Sequence, residues 1–403
     1  MQGIVVRRLV VLFYFLSNFV ALADDDLKQT CSSSFEGIPT ISLREGLNED
    51  DTVKKIGHAC QVAGFFYIKD HDVPEEMIRR LMDVSREFFD LPQATKQEIS
   101  MARGGKAWRG YFSTGDEVTS GIPDEKEGIY FGRDTESSNN RPLHGKNLYL
   151  NSTLGTEMRD LVDVYMAELE HLGSRVLALL IKSLGLRSTS DLKVSFRDPT
   201  ILFRIFNYPP HQDSSPKFKG SYGVGKHSDY GYLTFLYQDM SGGLEVELAN
   251  GSWIEAKVAI YIYIIGERAK FIKQLFFKSL NILILLLFSF FQPVENTFVV
   301  NIGDALDHAT GGLFRSTPHR LRQRVGATMG RISMPFFFDP NYDSLMKSVY
   351  DELSEELQEL ALKNRRLDRW DGVNLTAFDG TNYGDYLMMK VRKVFPLLAN
   401  DVL

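Results

Sequence analysis

His227 and Asp229 lie two residues apart in the stretch GKHSDYGYLTFLYQD, which covers residues 225–239. Side chains at positions i and i+2 of a strand point to the same face, so both can reach one metal ion. His319 can supply a third ligand from a separate segment. Two imidazoles and one carboxylate on one face of an octahedral divalent metal leave the opposite positions open. Each histidine taken alone could instead be a hydrogen-bonded structural residue. The surrounding sequence is needed to distinguish a structural histidine from a metal ligand.

A second pair of polar residues follows His319. Arg331 and Ser333 lie in a strand-like apolar run and share one of its faces, where they can hold a carboxylate through a guanidinium fork and a hydroxyl. In this order, His-x-Asp, a distal His and Arg-x-Ser resemble the 2-oxoglutarate/Fe(II)-dependent dioxygenases, in the isopenicillin N synthase-like branch. The resemblance extends from about Ile38 to Asp339.

The resemblance implies roles for particular residues. Iron would be bound by His227, Asp229 and His319. The far carboxylate of 2-oxoglutarate would be held by Arg331, Ser333 and Tyr208. The expected activity is oxidation, by default hydroxylation, of a small organic metabolite. It would need Fe(II), 2-oxoglutarate and O2, with ascorbate as a reductant, and would release succinate and CO2.

Two alternatives remain open at this point. The chain has Phe206-Asn-Tyr-Pro209 where many plant relatives have Asn-Tyr-Tyr-Pro, which is closer to the isopenicillin N synthase form. Such an oxidase uses Arg-x-Ser to hold the carboxylate of its own substrate and needs no 2-oxoglutarate. The second alternative is a non-catalytic binding or membrane-associated relative that retains an intact site.

Arg109 and Tyr111 match a family segment that borders the substrate mouth. The resemblance therefore implies that they contact substrate. The alternative is an ordinary surface arginine beside a turn glycine. We predict that the surrounding residues 103–150 form a loop, because they are rich in Gly, Asn, Arg and Asp.

Composition limits the classes of protein and partner. A chain of 403 residues with 44% apolar residues can bury a large core. Its net charge of −6, without a basic stripe, gives no indication of a nucleic-acid partner. Cys31 and Cys60 cannot form a disulfide framework or a cysteine-based metal site. We expect a monomer that acts on a small-molecule substrate.

The first 23 residues are typical of a secretory signal peptide. An arginine pair precedes an apolar run, and small residues end it at Ala23. Asn151, Asn250 and Asn374 would be glycosylation acceptors in that compartment. The alternative is a mis-chosen start codon upstream of a cytosolic enzyme. The predicted location is therefore the cytoplasm, or the secretory pathway if the segment is a genuine signal.

Apolar periodicity predicts a mainly β protein with flanking helices (α+β), built on a double-stranded β-helix, or jelly roll. An N-terminal α/β region precedes this core and a helical tail follows it. Helices are predicted over residues 51–63, from 74 to about 89, 156–184 and 353–362, and around 383–387. Strands are predicted over residues 39–43, 65–68, 201–206, 232–237, 243–247, 297–302 and 331–338. We divide the chain into an N-terminal dioxygenase region (36–150), a scaffold helix (151–195), the jelly roll (196–340) and the tail (341–403). His211 and His308 are interpreted as ordinary loop residues.

Residues 258–292 interrupt the jelly roll. They are rich in Ile, Phe, Leu, Tyr and Lys and contain no Pro or Asp. Joining Lys257 to Pro293 restores a strand–turn–strand pattern, so we interpret the segment as a retained, in-frame intron. A soluble insertion and a membrane hairpin are the alternatives. The uncharged run from Leu280 to Phe291 is shorter than the about 20 residues that a span needs, so no stable membrane span is expected.

Overall fold

The computed structural model describes residues 37–119, 121–135, 141–187, 189–210, 222–248, 250–256, 296–322, 328–365 and 373–395. The predictions for the signal-like segment 1–23, for the insertion 258–292 and for His211 concern residues outside these ranges. Within these ranges, no helix is both long enough and apolar enough to span a membrane.

Two sheets are formed by the residues that the structure describes, and the larger of them has eight strands. Their bounds are Thr40–Ser42 (β1), Phe65–Lys69 (β2), Gly110–Phe112 (β3), Glu127–Gly132 (β4), Thr200–Tyr208 (β5), Leu233–Gln238 (β7), Phe298–Ile302 (β10) and Arg331–Asp339 (β12). In the sheet they follow the order β1-β2-β10-β7-β12-β5-β4-β3. The strands β5 and β12 pair antiparallel over most of their length and are buried almost throughout. Both therefore appear in the sequence as nearly continuous apolar runs.

The smaller sheet has four strands. Their bounds are Tyr222–His227 (β6), Leu244–Glu247 (β8), Trp253–Glu255 (β9) and His319–Arg322 (β11). They follow the order β6-β11-β8-β9 and all pair antiparallel. Side chains of both sheets line one shared cavity. The two sheets thus form the predicted jelly roll, and the expected fold class is confirmed.

The helices lie outside the sheets and at the end of the chain. Their bounds are Glu49–Val62 (α1), Glu75–Phe89 (α2), Gln93–Lys96 (α3), Met101–Gly104 (α4), Thr153–Ser183 (α5), Asp191–Val194 (α6), Asp304–Ala309 (α7), Glu355–Asn364 (α8) and Tyr383–Val394 (α9). The long helix α5 packs on the larger sheet, where Gly173 lies so close to the ring of Phe338 that a Cβ would be 2.8 Å from it. Cys60, in α1, is buried and packs as a small apolar residue.

Two sequence-based expectations are wrong. Residues 103–150 are not only loop, because they contain β3 and β4, and β4 pairs with β5. These two strands are short and lie among polar and glycine-rich residues, so composition conceals them. His308 is not a loop residue: it lies in α7, is 9% exposed, and places Nε2 2.6 Å from Asp379 Oδ1.

Candidate active site

The structure brings the three predicted metal ligands together. His227 ends β6, His319 begins β11, and their Cα atoms are direct partners in the antiparallel ladder. Their ring centroids are 4.2 Å apart. Asp229 Oδ1 lies 4.0 Å from His227 Nε2 and 3.8 Å from His319 Nε2. One ligand atom from each residue therefore falls within 4.8 Å of the others, a separation that suits a shared ion.

Asp229 lies beyond the end of β6, in the turn that leads to β7, rather than within a strand. Its backbone carbonyl accepts a hydrogen bond from Asp304 N at 2.8 Å. Two residues later, a Cβ on Gly231 would lie 2.0 Å from the carboxylate of Asp339. Only glycine fits there, and this close approach lets Tyr232 N donate to Asp339 Oδ1 at 2.7 Å. The turn is thus fixed on both sides of Asp229.

Hydrogen bonds at Nδ1 leave the Nε2 atom of each histidine available to a metal ion. His227 Nδ1 lies 2.8 Å from Gly225 O, and His319 Nδ1 lies 3.2 Å from Thr317 O. A carbonyl oxygen can only accept, so Nδ1 carries the proton and the Nε2 lone pair stays available. Both histidines therefore present Nε2 as a ligand.

The carboxylate is oriented in the same way. Asp229 Oδ2 accepts from Thr234 Oγ1 at 2.5 Å and from Asn301 Nδ2 at 2.7 Å. Oδ1, the oxygen nearer both histidine Nε2 atoms, is left as the candidate ligand. Supporting bonds of this kind fix the orientation of a metal ligand and are a recurrent feature of metal sites.

Burial and neighbouring charges favour the metal-binding protonation states. Burial lowers the pKa of His227, and burial together with the charge of His227 lowers the pKa of His319 to about 4. Burial alone would raise the pKa of Asp229, but the two imidazoles and the bonds from Thr234 and Asn301 outweigh it and lower that pKa. At neutral pH the site therefore holds two neutral imidazoles and one carboxylate, a donor set that fits a divalent transition metal.

Arg331, Ser333 and Tyr208 lie together on the wall of the same cavity. Arg331 Nε donates to Gly242 O at 2.9 Å, and its Nη2 donates to Gln238 Oε1 at 2.7 Å. A guanidinium has five N–H donors, so these two bonds fix its position while donors remain for a ligand. Its charged carbon lies 5.1 Å from the centroid of the Tyr208 ring.

The structure does not bring Arg109 and Tyr111 to this cavity, and neither lines it. Arg109 is 2% exposed and donates to Leu143 O at 2.8 Å. Tyr111 donates to Glu127 Oε2 at 2.5 Å. Both are packed within the N-terminal half of the chain.

The cavity, of about 130 Å³, is lined by several residues that sequence reasoning missed. Arg204 interrupts the apolar run of β5, and that isolated charge was a usable signal. Glu117 and Lys126 come from a polar stretch, in which nothing in the sequence distinguishes them from their neighbours. The wall is completed by side chains at the end of the chain, namely Leu387, Val391, Val394 and Phe395.

Comparison with known proteins agrees with this architecture. The family model described as "non-haem dioxygenase in morphine synthesis N-terminal" matches residues 38–152. The model of the 2OG-Fe(II) oxygenase superfamily matches residues 199–281 and 288–340. Together they cover both the region before the long helix and the two sheets that carry the site.

Individual proteins extend this similarity along the chain. A Dictyostelium discoideum protein named as a probable iron/ascorbate oxidoreductase is 37% identical, covering 92% of this chain and 98% of that protein. A 1-aminocyclopropane-1-carboxylate oxidase of Dictyostelium mucoroides is 30% identical, covering 90% of this chain and 96% of that protein. The crystal structure of a full-length Neurospora crassa protein in complex with alpha-KG and thymine superposes with a TM-score of 0.65 at 24% identity, covering 90% of this chain and 98% of that one.

Proposed function

Because the chain belongs to the 2OG-Fe(II) oxygenase superfamily, we propose that it hydroxylates a small organic metabolite. The enzyme is a non-haem iron, 2-oxoglutarate-dependent oxygenase, and its family uses Fe(II), 2-oxoglutarate and O2. In the proposed reaction a C–H bond of the substrate becomes C–OH, one oxygen atom of O2 enters the product, and 2-oxoglutarate is converted to succinate and CO2.

One observation carries the proposal. A three-residue donor set and a buried arginine with spare donors line the same cavity. A keto acid bound at the metal through one end can place its far carboxylate on Arg331, where charge-assisted bonds are strong. Ser333 and Tyr208, which line the same cavity, can add hydroxyl donors. We assign these three residues to 2-oxoglutarate and His227, Asp229 and His319 to iron.

Residues around the metal ligands support the proposed site. Bound iron supplies the redox chemistry that couples decarboxylation of 2-oxoglutarate to oxidation of the substrate by O2. Thr234 and Asn301 hold the Asp229 carboxylate in one orientation. Phe65 is buried and packs edge-on against the ring of His319, with centroids 5.3 Å apart, which supports the orientation of that ring.

The family matches also support a proposal about organisation. They begin and end close to the predicted N-terminal dioxygenase region, 36–150, and jelly roll, 196–340. We therefore propose these as the two parts of the enzyme, joined by the scaffold helix and followed by the helical tail.

A second function is favoured by one relative. The similar Dictyostelium protein is named for oxidation of 1-aminocyclopropane-1-carboxylate, an amino acid, and an oxidase of the isopenicillin N synthase kind would use Arg331 for the substrate itself. The relatives are named for different substrates, among them 1-aminocyclopropane-1-carboxylate and homoarginine.

A succinate-release screen tests the proposal. The purified chain is supplied with Fe(II), ascorbate, 2-oxoglutarate and a metabolite library in air, with Asp229→Ala as the control. We expect substrate-stimulated succinate from the wild type and none from the variant. Oxygen uptake that proceeds equally without 2-oxoglutarate would instead support the 2-oxoglutarate-independent oxidase.

A further inference from the structure

Arg204 lies at the opposite end of the cavity from Arg331. Arg204, Phe206 and Tyr208 alternate along β5 and line the cavity together. Tyr208 pairs with Arg331 in the strand ladder, whereas Arg204 pairs with Tyr130 of β4. At about 3.4 Å per residue, the backbone of Arg204 is displaced roughly 14 Å along the strand from that of Tyr208. The Arg204 guanidinium stacks on Tyr130 and Phe337, whereas that of Arg331 lies beside Tyr208, so the two contact different parts of the cavity wall.

The Arg204 guanidinium is held between two aromatic rings. Its central carbon lies 4.1 Å from the Tyr130 centroid and 4.6 Å from the Phe337 centroid. Stacking fixes the plane of a guanidinium without using its N–H donors. Nε is buried, and it has no hydrogen-bond partner within the part of the chain that the structure describes. A buried donor without a partner is unfavourable, so a ligand that supplies an acceptor would be stabilised here.

An acidic group faces the same space. Glu117 and Lys126 line the cavity, and Glu117 is 4% exposed. Lys126 Nζ lies 2.9 Å from Glu117 Oε2 and 2.5 Å from Asp124 Oδ2, so one ammonium group serves two carboxylates. Glu117 Oε1 accepts from the Tyr130 hydroxyl at 2.9 Å, and Oε2 is paired with Lys126 Nζ. An ionised carboxylate has about four lone-pair sites, so Glu117 can still accept a hydrogen bond from a ligand.

The charges of Lys126 and Arg204 help to keep Glu117 ionised. Burial alone would raise the pKa of Glu117, but these two cations and the Tyr130 hydroxyl outweigh it, so the pKa is lowered. Glu117 can therefore accept a hydrogen bond from a cationic donor. Tyr130 contacts both Glu117, through its hydroxyl, and Arg204, through its ring, which places the acceptor and the donor side by side.

We propose that Arg204 and Glu117 form the substrate-recognition pair of this oxygenase and that its substrate is a small zwitterion of the α-amino acid class. The substrate carboxylate binds the guanidinium of Arg204, and the substrate ammonium binds Glu117 Oε2. The formal charges of Arg204, Lys126, Glu117 and Asp124 cancel, so a zwitterion adds no net charge to a buried cluster, where an unbalanced charge is costly. This assignment rests on the proposed function, because it takes the Arg331 end to be filled by 2-oxoglutarate.

Binding to the full-length protein tests the pair without turnover. Calorimetry is performed with Mn(II) in place of iron and with saturating 2-oxoglutarate. The probes are the common L-α-amino acids, each with its N-acetyl derivative and its carboxamide. We expect at least one free amino acid to bind, and both derivatives to bind at least about tenfold more weakly because each has lost one charged partner.

Two variants test which group of the substrate each residue binds. Arg204→Met keeps the packing between the rings and should abolish discrimination between the amino acid and its carboxamide. Glu117→Gln should abolish discrimination against the N-acetyl derivative. Arg197→Met, at an exposed arginine, is the matched control and should bind as the wild type does. Each variant should still bind 2-oxoglutarate, which shows that the fold is intact.

The possible failures can be told apart. If 2-oxoglutarate binds but no amino acid does, or if the derivatives bind as tightly as the parent, the zwitterion proposal is overturned while the proposed function stands. Unchanged discrimination in both variants overturns the pair as well. If 2-oxoglutarate itself does not bind the wild type, the proposed function fails.

Discussion

The cavity holds an arginine at each end, and the two are held differently. Arg331 is anchored by hydrogen bonds to Gly242 O and Gln238 Oε1. Arg204 is positioned by stacking between Tyr130 and Phe337. A hydrogen-bonded guanidinium presents its remaining donors in one direction, as binding of a constant cosubstrate requires. A stacked guanidinium keeps more donors available. This difference supports the proposal that Arg331 binds 2-oxoglutarate and that Arg204 binds the substrate.

The largest effect is expected from loss of a metal ligand. Turnover depends on bound iron, whichever end of the cavity the other ligands occupy. His227→Ala, Asp229→Ala and His319→Ala should each reduce Fe(II)-dependent succinate formation to the background rate, because three ligands leave no spare donor. Circular dichroism should show that the fold is retained. Near wild-type turnover by any one of these variants at limiting iron would contradict the assignment.

A smaller effect is expected from the groups that orient Asp229. Thr234→Val keeps the side-chain shape but removes the hydroxyl that donates to Asp229 Oδ2. Iron affinity should fall roughly 10–100-fold, the usual range for such supporting bonds. Titration with Fe(II) under anaerobic conditions measures it, with the wild type as reference. An unchanged affinity would mean that Asn301 alone is sufficient to orient the carboxylate.

Ser333→Ala tests whether the two ends of the cavity bind different ligands, because it should weaken the binding of 2-oxoglutarate alone. Losing one neutral hydroxyl donor should weaken 2-oxoglutarate binding roughly threefold to tenfold. The affinity for substrate should not change. Steady-state KM values for both compounds provide the measurement, and an equal rise in both would show that the two sites are not separate.

The smallest effect concerns stability at the Arg204 end. Burial raises the pKa of Asp339 from 3.8 to about 7. Between these pH values the folded state retains a proton that the unfolded state has lost, so this group's contribution to stability falls as pH rises. Asp339→Asn should flatten the dependence of Tm on pH over that window. A slope identical to that of the wild type would show that Asp339 titrates normally.

The sequence made the jelly roll and the Arg331 end predictable for a physical reason. Two pairs of polar residues spaced at i and i+2 lie in or beside apolar strands, namely His227 with Asp229 and Arg331 with Ser333. Polar residues with this spacing are easy to recognise within an apolar pattern. The predicted helix over 156–184 is confirmed nearly to its ends, because its apolar stepping is regular along its whole length.

The other end could not be predicted from sequence alone. Glu117 and Lys126 precede the short strand β4, whose pairing with β5 helps to bring them to the cavity. Arg109 and Tyr111 were chosen by similarity to a family segment, but their side chains pack against neighbouring polar groups instead. Contacts made by short strands and turns depend on tertiary pairing, which has no local periodicity. The domain boundaries stay a prediction.

If Arg331 and Arg204 bind different ligands, variants of the two residues should differ in their affinity for 2-oxoglutarate. Calorimetric titration of 2-oxoglutarate into the Fe(II)-loaded protein without oxygen should give one molecule per chain. Arg331→Gln should weaken binding roughly tenfold or more, since bonds to a charged group are lost, whereas Arg204→Met should leave it unchanged. Wild-type affinity in Arg331→Gln, or an equal loss in Arg204→Met, would show that the two arginines do not bind separate ligands.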